Sequence, residues 1–289
     1  LVDAGAGVTR IHKCLTTPED PSVGAITGIG ALLSDAGLSL SDIGHLVHGT
    51  TLVTNAIIER RGAKVALMTT RGFRDVLEMG KQQRYDKHDL FLQFPEPLAP
   101  RGLRREIDER ISRDGDVIVP IDEGQVRGEA ERLAAAGVEA IAVCFLHAYK
   151  NPAHERAVRD VIVASYPGIS VSISSEVQPE LREYDRASTT TANAYVQPLM
   201  ERYVRHLVEV IGDGGFLGRF HLTQSSGGLV APEVAIRFPI RLLESGPAGG
   251  ALASAYFGNR VGMADVISFD MGGTTAKACL IQDSKVAVA

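Results

Sequence analysis

The stretch Val266-Ile267-Ser268-Phe269-Asp270-Met271-Gly272-Gly273-Thr274-Thr275-Ala276-Lys277 decides how the rest of the chain is read. An apolar strand runs into Asp270, two adjacent glycines and two threonines, and a second strand follows from Ala278 to Ile281. Adjacent glycines let backbone N–H groups converge on one concavity without side-chain interference, which suits phosphate oxygens. Thr274 and Thr275 add hydroxyl donors. Asp270, at the strand end, is placed to hold a hydrated Mg2+ against those phosphates. No helix follows the glycines immediately, so this is neither a Walker loop nor a dinucleotide-binding fingerprint. A plain β-hairpin with a Gly-Gly turn is the alternative reading of the same residues.

Working outward, Ser245-Gly246-Pro247-Ala248-Gly249-Gly250 opens a helix, and a strand from Phe220 to Gln224 leads into Ser225-Ser226-Gly227-Gly228. A long helix is expected from Thr190 to Ile211, with Tyr195, Leu199, Tyr203 and Leu207 along one side. Upstream, strands and helices alternate. A helix from Ser22 to Ala36 ends at Gly37, and a buried strand runs from His45 to Gly49. Thr54 or Asn55 caps a helix toward Arg61 that stops at Gly62. Lys64 to Thr69 is a strand, and Gly72 to Gly80 a short helix. Asp122 caps a helix through Ala136, Ala140 to Leu146 is a continuous apolar strand, Asn151-Pro152 opens a helix to Tyr166, and Ile169 to Ile173 is strand again. Residues 81–120 show no clear periodicity and read as an extended excursion over the surface or a lobe edge. Continuously apolar strands alternating with helices predict an α/β fold with a parallel sheet covered on both faces.

Bulk properties exclude several classes of function. The 289 residues are 45% hydrophobic and 22% charged, an ordinary globular composition. A formal net charge of −5 points to neither nucleic acid nor an anionic membrane as partner. Cys14, Cys144 and Cys279 are too far apart in sequence for a metal-ligand spacing, which predicts a reducing, cytoplasmic location. No apolar run reaches the ~18 residues of a membrane span, and no signal peptide is visible. The sequence opens on Leu1-Val2-Asp3 without Met and stops within an alternating run, Lys285 to Ala289, so it reads as a fragment.

The Asp270 hairpin resembles the strand–turn–strand phosphate loop of ATPases of the actin, Hsp70 and sugar-kinase type. An ordered set of further motifs resembles the hydantoinase/oxoprolinase family, in its hydantoinase A-type subunit. These are His48-Gly49-Thr50-Thr51 with Thr54-Asn55-Ala56, Glu59-Arg60 and Gly62-Ala63, then Arg71-Gly72-Phe73-Arg74-Asp75 and Gln83-Arg84-Tyr85-Asp86. Arg182-Glu183-Tyr184-Asp185-Arg186, Ser188-Thr189-Thr190 and Asn193-Ala194-Tyr195-Val196 come next, followed by the 225–228, 245–250 and 270–274 motifs. The resemblance covers essentially the whole chain. It implies an actin-like (ribonuclease H-like) ATPase lobe, with residues 1–185 as the family's N-terminal region. Residues 186–289 would begin the core, with the phosphate hairpin at 266–281.

The resemblance further implies ATP and Mg2+ as cofactors, a small cyclic amide such as a hydantoin or 5-oxoproline as substrate, and a hydantoinase B-type subunit or fused C-terminal half as partner. A lactam carbonyl is resonance-stabilised, and phosphorylating its oxygen removes that protection. The protein's task is then positioning and charge neutralisation. A first phosphate loop is expected ahead of Leu1 and an adenosine-binding segment beyond Ala289. Thr275-Ala276-Lys277 stands where oxoprolinase-like members carry Ser-Thr-Asp, which leaves Asp270 as the metal-binding carboxylate. Rival readings are a ketone carboxylase subunit acting on acetone or acetophenone, a non-catalytic nucleotide-binding module, and a sugar or acetate kinase.

His48, at a strand's C-terminal end, is a candidate to orient substrate or to act as acid or base, with a structural hydrogen bond as the alternative. Thr50, Thr51 and Asn55 are candidate substrate contacts, although such residues at a helix start are commonly caps. Arg84 and Arg182 are candidates to neutralise substrate or phosphate charge, with solvated salt bridges the commoner use of such residues. Ser225 and Ser226 lack a G-x-S-x-G elbow and are not expected to be nucleophiles. Glu244, before Ser245-Gly246, is a candidate to face the cleft, although the glycines there more simply permit close helix packing.

Overall fold

A computed structural model describes every residue except 4, 18, 85, 272–275 and 287–289. In chain order its elements begin with strands β1 (Val2–Asp3) and β2 (Val8–Thr9), helix α1 (Pro21–Ala36), β3 (His45–His48) and α2 (Leu52–Ile58). Then come β4 (Val65–Thr70), α3 (Val76–Met79), β5 (Arg104–Ile107), β6 (Arg110–Ile111), β7 (Val117–Val119) and α4 (Glu123–Ala135). These are followed by β8 (Ala140–Cys144), α5 (Ala153–Ser165), β9 (Ser170–Ile173), α6 (Ser174–Val177) and α7 (Glu183–Asp213). The remainder is β10 (Arg219–Thr223), β11 (Leu229–Val230), α8 (Pro232–Arg237), α9 (Ser245–Arg260), β12 (Val266–Met271), β13 (Ala276–Gln282) and β14 (Lys285–Val286). The chain divides into two units, each discontinuous in sequence. The first takes Leu1–Thr54, Met200–Ile236 and Arg241–Ala289, and the second takes Asn55–Leu199 and Arg237–Ile240.

The second unit is built on a wholly parallel sheet in the order β5-β4-β8-β9. Every residue of β4 and β8 is buried, as unbroken apolar strands require when both faces are covered. α4 turns Val126, Ala130 and Leu133 inward, and α5 turns Val158, Val161 and Ile162 inward, both at helical spacing. The Asp122 carboxylate caps α4 by accepting from the backbone N–H groups of Gly124 and Gln125. Gly62 follows α2 for a packing reason: a Cβ there would lie 2.2 Å from the ring of Tyr195.

The stretch 81–120 departs from expectation. β5 joins the central sheet beside β4, and β6 pairs with β7 in a separate ribbon. β5 reads Arg-Arg-Glu-Ile, which carries no apolar strand signal. Tertiary contacts compensate for it: Arg104, at 1% exposure, donates its Nε–H to the Ala99 carbonyl at 2.9 Å and forms an ion pair with Glu78.

Further polar groups are buried at the carboxyl ends of these strands. Glu155 accepts from Phe145 N at 2.9 Å, Ser175 N at 2.8 Å and Ser174 Oγ at 2.6 Å. Arg186 donates to Ser174 Oγ at 3.0 Å and to the Phe145 carbonyl at 2.7 Å. Beside them, His154 Nδ1 lies 2.8 Å from Glu109, whose other oxygen accepts from the Thr70 hydroxyl. Each group is buried with partners, as polar groups in a low-dielectric interior must be.

The first unit holds three small sheets: β1-β2, β11-β10-β3 and β12-β13-β14. Asp20 caps α1 through its side chain, and Gly37 ends it at φ 68° in the left-handed region. β3 is not the buried strand its apolar content predicts. Its residues alternate between exposed and half-buried, and among the described residues it pairs only with β10. α7 begins at Glu183, seven residues before the expected Thr190, because burial of Arg186 holds its polar first turns in place. Among the described residues, no helix is long and apolar enough to cross a membrane.

Candidate functional site

β3 and β10 run parallel, with His48 beside Leu222, so the loops after them leave from the same sheet edge. At such an edge α/β proteins gather ligands. The 245–250 motif is locked to the loop after β3. Thr50 N donates to Ser245 Oγ at 3.2 Å, and the same hydroxyl donates to the Thr50 carbonyl at 2.7 Å. Gly246 is needed for this approach, since a Cβ there would meet Thr51 Cγ2 at 2.9 Å. Thr54 donates its hydroxyl to the Leu243 carbonyl. Thr50 Oγ1 accepts from Leu52 N at 3.2 Å, the capping use of a threonine at a helix start. Ser225 serves the same segment: its hydroxyl donates to the Arg241 carbonyl at 2.8 Å and accepts from Glu244 N at 3.0 Å.

The 225–227 and 244–248 segments line a cleft of about 890 Å³ within the first unit. Asp270 and Lys277 enter it from β12 and β13, where they are directly opposed in register. Glu244, Ser225 and Ser226 line other parts of it, and Pro247 and Ala248 bring in the first turn of α9. Lys277 forms an ion pair with Glu244. Asp270 is exposed and makes no ion pair among the described residues. Gly272, Gly273, Thr274 and Thr275 lie outside the described residues.

The cleft's volume is in the range of small-molecule sites, the first turn of α9 borders it, and Asp270 stands beside the Lys277–Glu244 pair. Among the described residues no group of three or more His, Cys, Asp and Glu comes together to hold a metal.

His48 does not line the cleft among the described residues. Its Nε2 shares a hydrogen bond of 2.8 Å with the Tyr203 hydroxyl. Burial pulls the imidazole down from 6.5 to about 4, so it is neutral near pH 7. The unfolded chain takes up a proton between those two values while the folded chain does not. Stability is therefore lost as pH falls through that window, by on the order of 3 kcal/mol from this group. His48→Gln, which keeps a partner for Tyr203 but cannot titrate, should remove that part of the acid sensitivity. Urea unfolding at pH 7 and pH 4.5 measures it, and equal pH dependence in both proteins would contradict this reading of His48.

The other candidates fall elsewhere. Asn55 lies inside α2, where its carbonyl accepts from Glu59 N at 2.8 Å, and not at the helix start. Arg84 belongs to the second unit and lines a cavity there. Arg182 is exposed at φ 81°, whereas Arg186, which carries no site expectation, is fully buried. Two pairings escape sequence reasoning, Lys277 with Glu244 and Ser245 with Thr50. The available signal was Glu244's place immediately before the 245–250 motif.

Two family models match the chain: the hydantoinase/oxoprolinase N-terminal region over residues 1–165 and hydantoinase/oxoprolinase over residues 186–289. An uncharacterized protein of Methanocaldococcus jannaschii, MJ0964, is 42% identical over 94% of this chain and 40% of its own length. Caprolactamase subunit alpha of Pseudomonas jessenii is 33% identical over 93% of this chain and 40% of its own. The crystal structure of that organism's ATP-dependent caprolactamase superposes with a TM-score of 0.84 at 32% identity, over 97% of this chain and 41% of that one. The nucleotide-free structure of an acetone carboxylase, from work on ATP-dependent acetone carboxylation, also gives 0.84 at 28% identity, over 95% and 41%. The chain thus spans about 40% of the length of these relatives. The fold is α/β, of the actin-like ATPase class. The chain belongs to the hydantoinase/oxoprolinase family.

Proposed function

We propose that the protein takes part in ATP-dependent ring opening of a cyclic amide. The observation that carries this reading is the convergence of Asp270, the Glu244–Lys277 pair and the α9 N-terminus on one cleft. When bound, Mg-ATP supplies the phosphoryl group that turns an amide oxygen into a leaving group. Asp270 holds the metal, and Gly272, Gly273, Thr274 and Thr275 offer backbone and hydroxyl donors to phosphate. Lys277, kept in place by Glu244, offsets developing negative charge at the cleft wall. Ser225 and Ser245 act through the backbone, fixing the loops that carry Glu244 and Thr50. Neutral His48 keeps the loop edge ordered through Tyr203, and Thr50, Thr51 and Asn55 border the substrate. Water would then add at the activated carbon, and the ring C–N bond would break with the nitrogen leaving as a protonated amine. A second water would release inorganic phosphate from the acyl group, with a hydantoinase B-type subunit or a fused C-terminal half as the other participant, in a cytoplasmic setting.

Ketone carboxylation is the second reading, because the acetone carboxylase structure superposes as well as the caprolactamase. Phosphate release from ATP should be measured with hydantoin, 5-oxoproline and caprolactam, and separately with bicarbonate plus acetone or acetophenone. Stimulation by a cyclic amide supports the first reading, and stimulation by the ketones replaces it with the second. No stimulation by either set, from the protein with its native partner, removes both.

A further inference from the structure

The second unit contains a cavity of about 650 Å³ that the reading above does not use. One wall is the first half of α7, where Tyr184, Ser188 and Thr191 recur at helical spacing and present three hydroxyls to it. Thr191 is 1% exposed, yet its Oγ1 has no hydrogen-bond partner among the described residues. A buried hydroxyl without a partner costs on the order of 1–3 kcal/mol, and a polar ligand atom removes that cost. The facing wall is apolar and left open, with Met79 at 59% and Phe94 at 57% exposure.

Four charged side chains line the cavity, and two are already matched. Glu78 is paired with buried Arg104, and Lys81 lies 2.8 Å from Asp185. Arg84 and the Glu96 carboxylate are left without ion-pair partners among the described residues. Arg60 Nη2 donates to the Glu96 carbonyl at 2.6 Å, which anchors that residue's backbone. Among the described residues one cation and one anion without ion-pair partners, a hydroxyl stripe and apolar lining residues suit a small molecule with an apolar body and both charges.

We propose that this cavity binds a zwitterionic amino acid, its carboxylate taken by Arg84 and its ammonium by Glu96, with the Thr191 hydroxyl on a carboxylate oxygen. Opening a lactam produces such a molecule, so the probe chosen below rests on the cyclic-amide reading; the site itself does not. Calorimetry on the protein without nucleotide should compare 6-aminohexanoate with hexanoate and hexylamine, each of which lacks one charge. The zwitterion should bind, and both analogues should bind at least about tenfold more weakly, the scale of one lost charged hydrogen bond. Arg84→Ala should abolish the advantage over hexylamine, and Glu96→Gln the advantage over hexanoate. Thr191→Val should weaken binding without lowering thermal stability. The proposal is overturned if 6-aminohexanoate gives no binding heat, or if Arg84→Ala and Glu96→Gln leave its affinity within about twofold. Neither result touches ATP-dependent turnover, so failure here and failure of the cyclic-amide reading are separable.

Discussion

Asp270→Asn should lower ATP-dependent turnover by about two to three orders of magnitude and leave the thermal midpoint unchanged. Asp270 is exposed at the end of β12, faces the cleft, and makes no ion pair among the described residues. Lys277, its neighbour across the hairpin, is taken by Glu244 instead. The carboxylate is thus left available for a cation. Asn keeps its shape and removes only the charge, so the loss falls on metal-bound phosphate. Steady-state phosphate release in the assembled protein, read beside a melting curve, checks both halves. Turnover within about threefold of the parent would remove Asp270 from the site, and a large drop in the midpoint would make its role structural.

Arg186→Met should destabilise the second unit by about 3–5 kcal/mol, the scale expected when one partner of a buried charged network is removed. Arg186 is fully buried, donates to the Phe145 carbonyl at 2.7 Å and to Ser174 Oγ at 3.0 Å, and has its guanidinium 5.5 Å from the centre of the Tyr149 ring. The Met side chain fills much of the volume and supplies no donor. Ser174 then continues to donate to Glu155, whose carboxylate loses the positive charge that Arg186 holds on the same hydroxyl. Burial already pushes the Glu155 carboxyl above its ordinary 4.5, with its hydrogen bonds opposing the shift. A carboxyl raised in the folded state favours folding most below its unfolded value, and that advantage is lost as pH rises through the folded value. The deficit in Arg186→Met should therefore be larger at pH 7 than at pH 5. Denaturant unfolding at both values measures it; a loss under about 1 kcal/mol, or a larger loss at pH 5, would refute the account.

Much of the fold was legible along the chain because its signals are local. Asp20 and Gly37 bound α1, Asp122 starts α4, and the apolar runs at Val65–Thr70 and Ala140–Cys144 could only be strands covered on both faces. Each of these depends on residues within a turn or two of one another, so periodicity and capping chemistry suffice. The candidate phosphate hairpin belongs to the same class. Its two strands follow from the sequence pattern around the glycines, while the register of Asp270 against Lys277 is seen only in the folded chain.

The remaining features depended on residues distant in sequence. Arg-Arg-Glu-Ile becomes the edge strand of the parallel sheet only because Glu78 and the Ala99 carbonyl partner Arg104, and the polar start of α7 is helical around an arginine buried against Phe145 and Ser174. Residues 48–51, 225–228 and 245–250 read as separate motifs; hydrogen bonds from Ser245 to Thr50 and from Ser225 to the Arg241–Glu244 segment tie them together, and the last two line the cleft. Local spacing dictates where helices and strands form, because backbone geometry is short-ranged. Which buried charges are tolerable, and which loops share a cleft, depends on partners supplied by other parts of the chain, and only the folded chain brings those together.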